Sequence, residues 1–459
     1  MTKQRNEEKN SLLATVKPSK AIINLAVPAT LALLAKAVYN IVDTAYIGML
    51  NSDTALAAVG VTLPLLLIMV SVENIFAAGA GVLAGRQLGE DNKEEANRTV
   101  TTIVGFSILV GIGLCIVGIL FDDFLLRAFG ASDAVLPQAK EYAFWMFIAA
   151  LFNLPAQSLN CAARAESSVK ISSIAVITGA VLNVILDPIF MFSWGLNMGV
   201  EGASLATTIS QCITFLILLI FYMGGFSVIK IKPKYFKLSG KFIWDVVSIG
   251  IPTAVIQICL AVATSLTNVA AKSLPSSDLI IAAYGVVQRL ILIGCYIIMG
   301  FMQGYQPVAA YAFGAKNKER FNQSAKFALK GSLLLTIVVA VIYIVLAKPL
   351  ILLFNRNPLV VEYGKWLLIS QVILYPAFGI CYMMTITFQT IGSAKMGLFL
   401  SLVRQCLFYV PFILTLPRIM GINGIYFSQP AADILTILVC VALIKPMKKE
   451  ILKNMKTVQ

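Results

Sequence analysis

Residues 79–98 read GAGVLAGRQLGEDNKEEANR, and residues 304–323 read GYQPVAAYAFGAKNKERFNQ. Shifted by 225 positions, they coincide at Gly79/Gly304, Ala84/Ala309, Gly89/Gly314, Asn92/Asn317, Lys93/Lys318, Glu94/Glu319 and Asn97/Asn322. Each copy leaves a long apolar run, turns polar, and leads into another apolar run. The coincidence extends outward: LAVPA around Pro28 has a counterpart in IGIPT around Pro252, and GVEG at 199–202 has one in GING at 421–424. A 459-residue chain with this offset is two similar halves in tandem.

The composition says what surrounds those halves. The chain is 59% hydrophobic and 13% charged, whereas soluble globular chains run at about 45–50% and about 25%. So much apolar surface excludes an ordinary soluble fold, and it excludes disorder, which needs low hydrophobicity. There is no histidine, which removes His-based triads, proton shuttles and metal ligands. The eight cysteines are scattered without a C-x-x-C pair, so neither a disulfide framework nor a zinc site is expected. Gly79, Gly81, Gly85 and Gly89 are not followed by GK[ST], so they form no P-loop and suit close helix packing instead. No cofactor and no ATP-binding domain are expected, which leaves an ion gradient as the energy source.

A bilayer-spanning helix takes about 20 apolar residues. Twelve stretches qualify: 21–50, 56–85, 100–121, 141–161, 170–192, 202–224, 243–271, 279–307, 327–353, 363–390, 396–418 and 424–444. Alternating barrel strands are absent. With the N-terminus inside, the even-numbered loops and both tails carry 26 of the 36 Lys and Arg, which puts both termini in the cytoplasm. The first 20 residues are polar and include Lys3, Arg5, Lys9, Lys17 and Lys20, with no apolar core of a signal peptide. The net charge of +14 thus belongs to loops at a membrane surface and not to a nucleic-acid-binding face.

The expected fold is an all-α polytopic membrane protein of twelve transmembrane helices in two six-helix bundles. Its divisions are a cytoplasmic tail (1–20), a bundle (21–224), a basic cytoplasmic linker (225–242), a second bundle (243–444) and a second tail (445–459). Six spans per half is an even number, so both halves enter from the same side. They are then related by a pseudo-two-fold along the membrane normal, with the substrate site between them.

Charges inside apolar spans are expensive and mark candidate sites. Asp43, Glu73, Asp187 and Asp433 are such acids, and Asn183 lies one turn before Asp187 on the same face. Burial disfavours the charged form of a carboxylate, so an acid in a span can exchange a proton. With Asn and Thr oxygens beside it, it can instead hold a hard cation such as Na⁺. The alternative is a structural Asp that caps a kinked helix or pairs with a basic residue. Lys36 is seven residues before Asp43 on one face; it either forms a static pair with Glu73 or tunes Asp43. Arg289 and Arg404 are read as structural, snorkelling or tying helices together.

The stretches VPATLALLAKAVYNIVDTAYIG, FAAGAGVLAGRQLGEDN, NVILDPIFMF, GVEGASLATTIS, FQTIGSAK and SLVRQCLFYVP, in this order on two six-span halves, resemble MATE (multidrug and toxic compound extrusion) transporters, in particular the bacterial multidrug branches. The resemblance implies alternating-access export of organic, often cationic, compounds in exchange for H⁺ or Na⁺, across the bacterial cytoplasmic membrane. The partners are then small organic molecules and the lipid bilayer, with no nucleic acid, and the chain works as a monomer. The resemblance also places an ion-coupling site, for H⁺ or Na⁺, at Asp43, Asn183, Asp187 and Thr207. It implies a substrate path lined by spans 1, 2, 7 and 8, on which Tyr39, Asn40, Met69, Glu73, Gln257, Met299 and Gln303 are placed.

Two departures accompany it. The small glycine that the family carries after the RA of the span 4–5 loop is replaced, since the chain reads RAESS with Glu166 and Ser167. Spans 7 and 10 lack the mid-span acids of some sodium-coupled members, having only Asp245 and Glu362 at their ends. The alternative function is a lipid-linked sugar flippase of the same superfamily, for which Lys36 and Arg289 are the supporting cations. An enzyme has no nucleophile–base or paired-acid metal constellation to stand on.

Overall fold

The computed structural model describes residues 12–50 and 52–456. The two expected tails therefore fall partly outside the described residues, at 1–11 (with Lys3, Arg5 and Lys9) and 457–459. Every regular element among the described residues is helical.

The first half comprises α1 (Pro18–Met49), α2 (Asp53–Gly89), α3 (Lys93–Leu120), the short α4 (Asp122–Ala128), α5 (Leu136–Ala165), α6 (Val169–Met191) and α7 (Val200–Met223). A 3-10 turn, Pro233–Tyr235, sits in the connection between the halves. The second half comprises α8 (Gly240–Lys272), α9 (Ser277–Gly314), α10 (Lys318–Val345), the short α11 (Ala347–Leu352), α12 (Pro358–Val372), α13 (Pro376–Ile391), α14 (Ala394–Leu402), a π-helical segment (Val403–Tyr409), α15 (Val410–Met420) and α16 (Ile422–Lys456). Among the described residues, eleven helices are long and apolar enough to cross a bilayer, with α14, the π segment and α15 counted as one. The pair α12 and α13, bent by 45°, supplies the twelfth span.

Three local departures from the expected spans have simple causes. The tenth span, read as continuous over 363–390, breaks before Pro376, which starts α13 and has no N–H to continue the ladder. The ninth, read to 353, ends at Val345, and 347–352 forms the separate α11. Within the eleventh, the π segment immediately precedes Pro411, whose ring would crowd the carbonyl four residues back. Most helices also outrun their apolar cores. α2 has 37 residues and α9 has 38, so each is about 55 Å long against a hydrocarbon layer of about 30 Å.

Those overhangs carry the repeated stretch, and there the two copies meet. A Cβ on Gly89 would sit on the Tyr311 carbonyl oxygen, and a Cβ on Gly314 would sit on the Arg86 carbonyl oxygen. The contact is reciprocal, as a two-fold requires, so the ends of α2 and α9 cross at van der Waals distance because both crossing residues are glycine. Immediately beyond, Asn92 and Asn317 cap α3 and α10 in the same way, with Oδ1 accepting from the Glu95 N–H at 3.1 Å and the Arg320 N–H at 2.9 Å. The repeat is therefore a helix crossing followed by a capped helix start, made twice.

The seam between the halves runs up from this end. α1 packs along α9, and α2 packs along α8 and α9. The first turns of α1, with Ala21, Ile22, Leu25 and Ala26, lie in the apolar core of the second half. Arg86, near the end of α2, donates from Nε to the Thr390 carbonyl at 2.6 Å and from Nη2 to the Gln389 carbonyl at 2.7 Å. These are carbonyls of the last turn of α13, where helical donors run out; the Gln389 carbonyl also accepts from the cap Gly392 N–H at 3.1 Å. The outer surface is apolar in the spans, as a lipid-facing belt must be: Leu109, Ile116, Leu334 and Val341 are more than half exposed.

Candidate functional site

Above the sealed end the halves part around a cavity of about 440 Å³. Its walls come from α1, α2, α5, α6 and α7 of the first half and α8, α9 and α13 of the second. Tyr39, Asn40, Met69, Glu73, Gln257, Met299 and Gln303, all placed in a cleft from the sequence, line this one cavity, as do Asp43 and Thr207. On α1 the spacing explains it. Lys36, Tyr39, Asn40 and Asp43 recur at three- and four-residue intervals, one polar stripe along an otherwise apolar helix.

Behind the stripe is a second, small pocket of about 30 Å³, lined by Lys36, Tyr39, Asn183 and Thr207 among others. Asn183 donates from Nδ2 to Asp187 Oδ1 at 3.0 Å and to Thr207 Oγ1 at 3.1 Å. The first contact is along α6, and the second crosses to α7. Asp187 is fully buried and lines neither pocket, yet it lies close enough to Asp43 for the two charges to interact. Tyr142 of α5 stands within the same electrostatic reach of both.

The hydrogen-bond accounting of this cluster is incomplete. Asp43 Oδ1, Asn183 Oδ1 and Asp187 Oδ2 are buried and have no partner among the described residues. Buried polar atoms are almost always paired, so three orphans in one polar cluster call for an explanation. All three are oxygens, and Thr207 adds a fourth. A proton on a carboxylate would supply an O–H donor, and Na⁺ would take an all-oxygen set. No cluster of three or more Cys, Asp or Glu that could hold a multivalent metal occurs among the described residues.

Glu73 is 2% exposed and accepts from Asn153 Nδ2 at 2.7 Å. Lys36 lies within electrostatic reach of it, but the expected static Lys36–Glu73 ion pair is not formed within 4.0 Å among the described residues. An amide, and not the ammonium, holds the acid. Asn153, Gln157 and Arg164 also line the cavity from α5, and Tyr296 and Tyr382 line it from α9 and α13. Sequence reading singled out the amides Asn40, Asn183, Gln257 and Gln303 but passed over those of α5. The signal was present, since Asn153, Gln157 and Asn160 follow helical spacing through an apolar run.

Elsewhere, Arg404 donates from Nε to Asp433 Oδ1 at 2.8 Å and from Nη2 to Oδ2 at 3.4 Å, with Gln429 Nε2 adding a bond to Oδ1 at 2.9 Å. This ties α16 to the π segment, as a structural reading of Arg404 requires. Of the two cations that favoured a flippase, Lys36 lines the cavity, whereas Arg289 is not among its lining residues and is exposed. In the span 4–5 loop, Ser167 has φ +66°, the left-handed conformation that glycine adopts freely. Its neighbour Glu166 is buried and accepts from Ser168 Oγ at 2.7 Å, Ser227 Oγ at 2.6 Å, the Val228 N–H at 2.8 Å and the Ile229 N–H at 3.0 Å. The acid that replaces the small residue thus straps the linker between the halves onto the first half.

Comparison with known proteins agrees with this layout. A family model described as MatE matches twice, at residues 28–189 and 252–415, which is the tandem offset again. A curated relative, "Multidrug export protein MepA" of Staphylococcus aureus, is 26% identical over 425 residues, covering 93% of each chain. The protein of the same description from Staphylococcus haemolyticus is 25% identical over 414 residues, covering 90% of each. Among solved structures, the outward-facing conformation of a multidrug resistance MATE family transporter superposes with TM-score 0.90 at 23% identity, over 96% of this chain and 98% of that one. A MOP superfamily transporter from Pyrococcus furiosus gives 0.89 at 22% identity, over 98% and 99%. At these identities the structures show the shared fold.

Proposed function

The chain belongs to the MATE family, and on that premise we propose that it is a secondary active multidrug exporter, moving organic, often cationic, compounds out of the cell in exchange for H⁺ or Na⁺. It acts as a monomer in a bacterial cytoplasmic membrane, with both termini on the cytoplasmic side where Lys and Arg are concentrated. The bundles 21–224 and 243–444 rock about the seam, joined by the linker 225–242. The observation that carries this reading is the pair of acids at the cavity wall: Asp43 faces the cavity, Asp187 lies behind it with Asn183 and Thr207, and three oxygens of the cluster lack partners.

The cavity supplies the substrate site. It is large and mostly apolar with a few polar groups, which suits amphiphilic molecules of varied shape, and Met69 and Met299 adapt their shape readily. The acid cluster supplies the coupling. Two carboxylates within reach of each other do not both hold a full charge cheaply, so the cluster takes up a proton or Na⁺. Ion and drug must then prefer opposite-facing conformations, because a ligand with equal affinity for both states shifts nothing. The closed seam at Gly89, Gly314 and Arg86 is one of the two alternating barriers.

Purified protein in proteoliposomes, given a pH gradient or a Na⁺ gradient separately, tests the proposal. Efflux of an organic cation driven by one of the two gradients is expected. Efflux that ignores both gradients would overturn it.

A further inference from the structure

The connection between the halves carries charge of one sign only. No Asp or Glu occurs between Glu201 and Asp245, while Lys230, Lys232, Lys234, Lys237 and Lys241 fall within twelve residues. All five lysines are exposed, and none has a carboxylate within 4.0 Å among the described residues. Acids at this end of the molecule are engaged elsewhere. Asp91 pairs with Lys93, and Glu95 pairs with Arg98. Glu166 is buried among hydroxyl and backbone donors, and Asp245 lies within electrostatic reach of Arg86. Lys234 Nζ stands 5.0 Å from the centroid of the Tyr235 ring, a contact that leaves its charge uncompensated.

The linker is also held at a fixed depth. The Lys230 N–H donates to Asn97 Oδ1 at 2.6 Å, and the Lys237 N–H donates to Thr102 Oγ1 at 3.1 Å. The Phe236 ring lies against Gly105, where a Cβ would come within 2.7 Å of it. Asn97, Thr102 and Gly105 follow one another along α3, whose apolar run begins at Val100, and Asn97 to Gly105 is about 12 Å of helix rise. The linker therefore runs beside α3 from its polar start to the level of its apolar run, and the missing side chain of Gly105 lets the ring in. Phe236, Leu238 and Trp244 are 41%, 40% and 66% exposed. Aromatic rings beside lysines at the end of a span are the pattern of a membrane interface, with the rings at the acyl boundary and the ammonium groups among the headgroups.

We propose that the linker is a docking surface for anionic phospholipids, with Lys230, Lys232, Lys234, Lys237 and Lys241 on the charged headgroups and Phe236, Leu238 and Trp244 against the acyl chains. The occupant follows from the chemistry. Five ammonium groups without protein counter-charges select a net anion, and exposed rings held at the depth of an apolar run select an anion attached to acyl chains. A soluble polyanion would meet the lysines and leave the rings without a partner. Each lysine near an anionic leaflet contributes about fivefold to binding. Glu166, Asn97 and Thr102 tie the linker to the first half, and its far end starts α8, so the bound lipids hold the covalent joint of the two halves at the bilayer surface. The inference does not rest on the export reading; it needs only that the chain spans a bilayer.

The test uses the full-length purified protein in bilayers that contain brominated phosphatidylglycerol or brominated phosphatidylcholine. Trp145→Phe, Trp194→Phe and Trp366→Phe leave Trp244 as the only tryptophan, and bromine on a neighbouring acyl chain quenches its fluorescence. The quenching curves give the relative binding of the two lipids beside the linker. Phosphatidylglycerol should be preferred by at least about fivefold, the scale of one lysine at an anionic surface. In Lys232→Gln/Lys234→Gln/Lys237→Gln the preference should fall below about twofold, while the same three positions changed to arginine should keep it. Removing two exposed lysines of α10 at the same end, with Lys326→Gln/Lys330→Gln, should leave it unchanged. Unaltered quenching by phosphatidylcholine and an unaltered melting temperature show that each variant is folded.

Equal quenching by the two lipids before any lysine is changed would overturn the proposal. So would a preference that survives the triple glutamine variant, or one that falls as far in the α10 variant, since it would then report the net charge of the whole chain. None of these outcomes bears on gradient-driven efflux, so the export reading stands or falls separately.

Discussion

The two halves each bury an acid between their fifth and sixth spans, and they finish it differently. In the second half Asp433 is 1% exposed in its side chain and is closed off by Arg404 and Gln429, so each carboxylate oxygen has a donor from its own chain. In the first half Asp187 has one donor, Asn183, and keeps Oδ2 free, while Asp43 keeps Oδ1 free. Both clusters took the same kind of residue into a span at similar expense. A resident guanidinium turns the carboxylate into a strut between helices. A cluster left short of a cation has to take one from outside, and whatever arrives by reversible binding can also leave.

The largest expected effect is on the open cluster. Asp43→Asn and Asp187→Asn each mimic a permanently neutralised acid, so gradient-driven efflux should fall to the level of protein-free liposomes. The variants should still purify as monodisperse protein with unchanged melting, because no donor loses its acceptor. Full transport by either variant would place the coupling site elsewhere and dissolve the contrast.

The closed cluster should respond in the opposite way. Arg404→Met leaves Asp433 buried without its counter-charge, a loss of roughly 3–5 kcal/mol for a broken buried pair, read as a lower melting temperature and poor yield. The double variant Arg404→Met/Asp433→Leu should recover most of that loss, since exchanging a whole buried pair for apolar groups is often neutral. Transport per folded molecule should survive in the double variant. If transport fails there too, the second cluster does more than hold α16 to the π segment.

A smaller effect is expected at the seam. Arg86→Met removes two charge-assisted bonds to the last turn of α13, each worth about 1.5–3 kcal/mol. The sealed end should open more often, measured as faster labelling from the sealed side of a cysteine introduced at the cavity-lining Gln303 in a background otherwise cleared of reactive thiols. Unchanged labelling would mean that the glycine crossing alone holds the seal.

The smallest effect belongs to Glu73→Gln. The amide oxygen can still accept from Asn153, so transport should drop by less than about tenfold. A loss as deep as that of Asp43→Asn would move Glu73 into the coupling site.

The contrast between the clusters was half visible before any coordinates. Asp43, Asp187 and Asp433 are conspicuous as charges in apolar runs, and Asn183 sits at helical spacing from Asp187, so the first cluster's members along α6 could be read as one face. That Arg404 meets Asp433 could not be read, because 29 positions separate them and the π segment turns Arg404 by an amount that no regular period gives. Whether Lys36 pairs with Glu73 or tunes Asp43 could not be read for the same reason. Opposite charges on adjacent spans suggest a bridge, yet Asn153, from a third helix, reaches Glu73 first.

By itself the sequence determined the number of spans and the tandem halves, because hydrophobic length and repeat offset act within one segment or between a segment and water. It also singled out the acids, since a charge in an apolar span is costly wherever it points. Tertiary structure alone decided which of those acids would be neutralised internally. That depends on how each helix is rotated about its axis, how far it slides along its neighbour, and where glycines such as Gly89 and Gly314 let backbones touch. A shift of one residue along α16 would carry Asp433 about 100° around the helix, away from Arg404, and leave a second open acid in place of a strut.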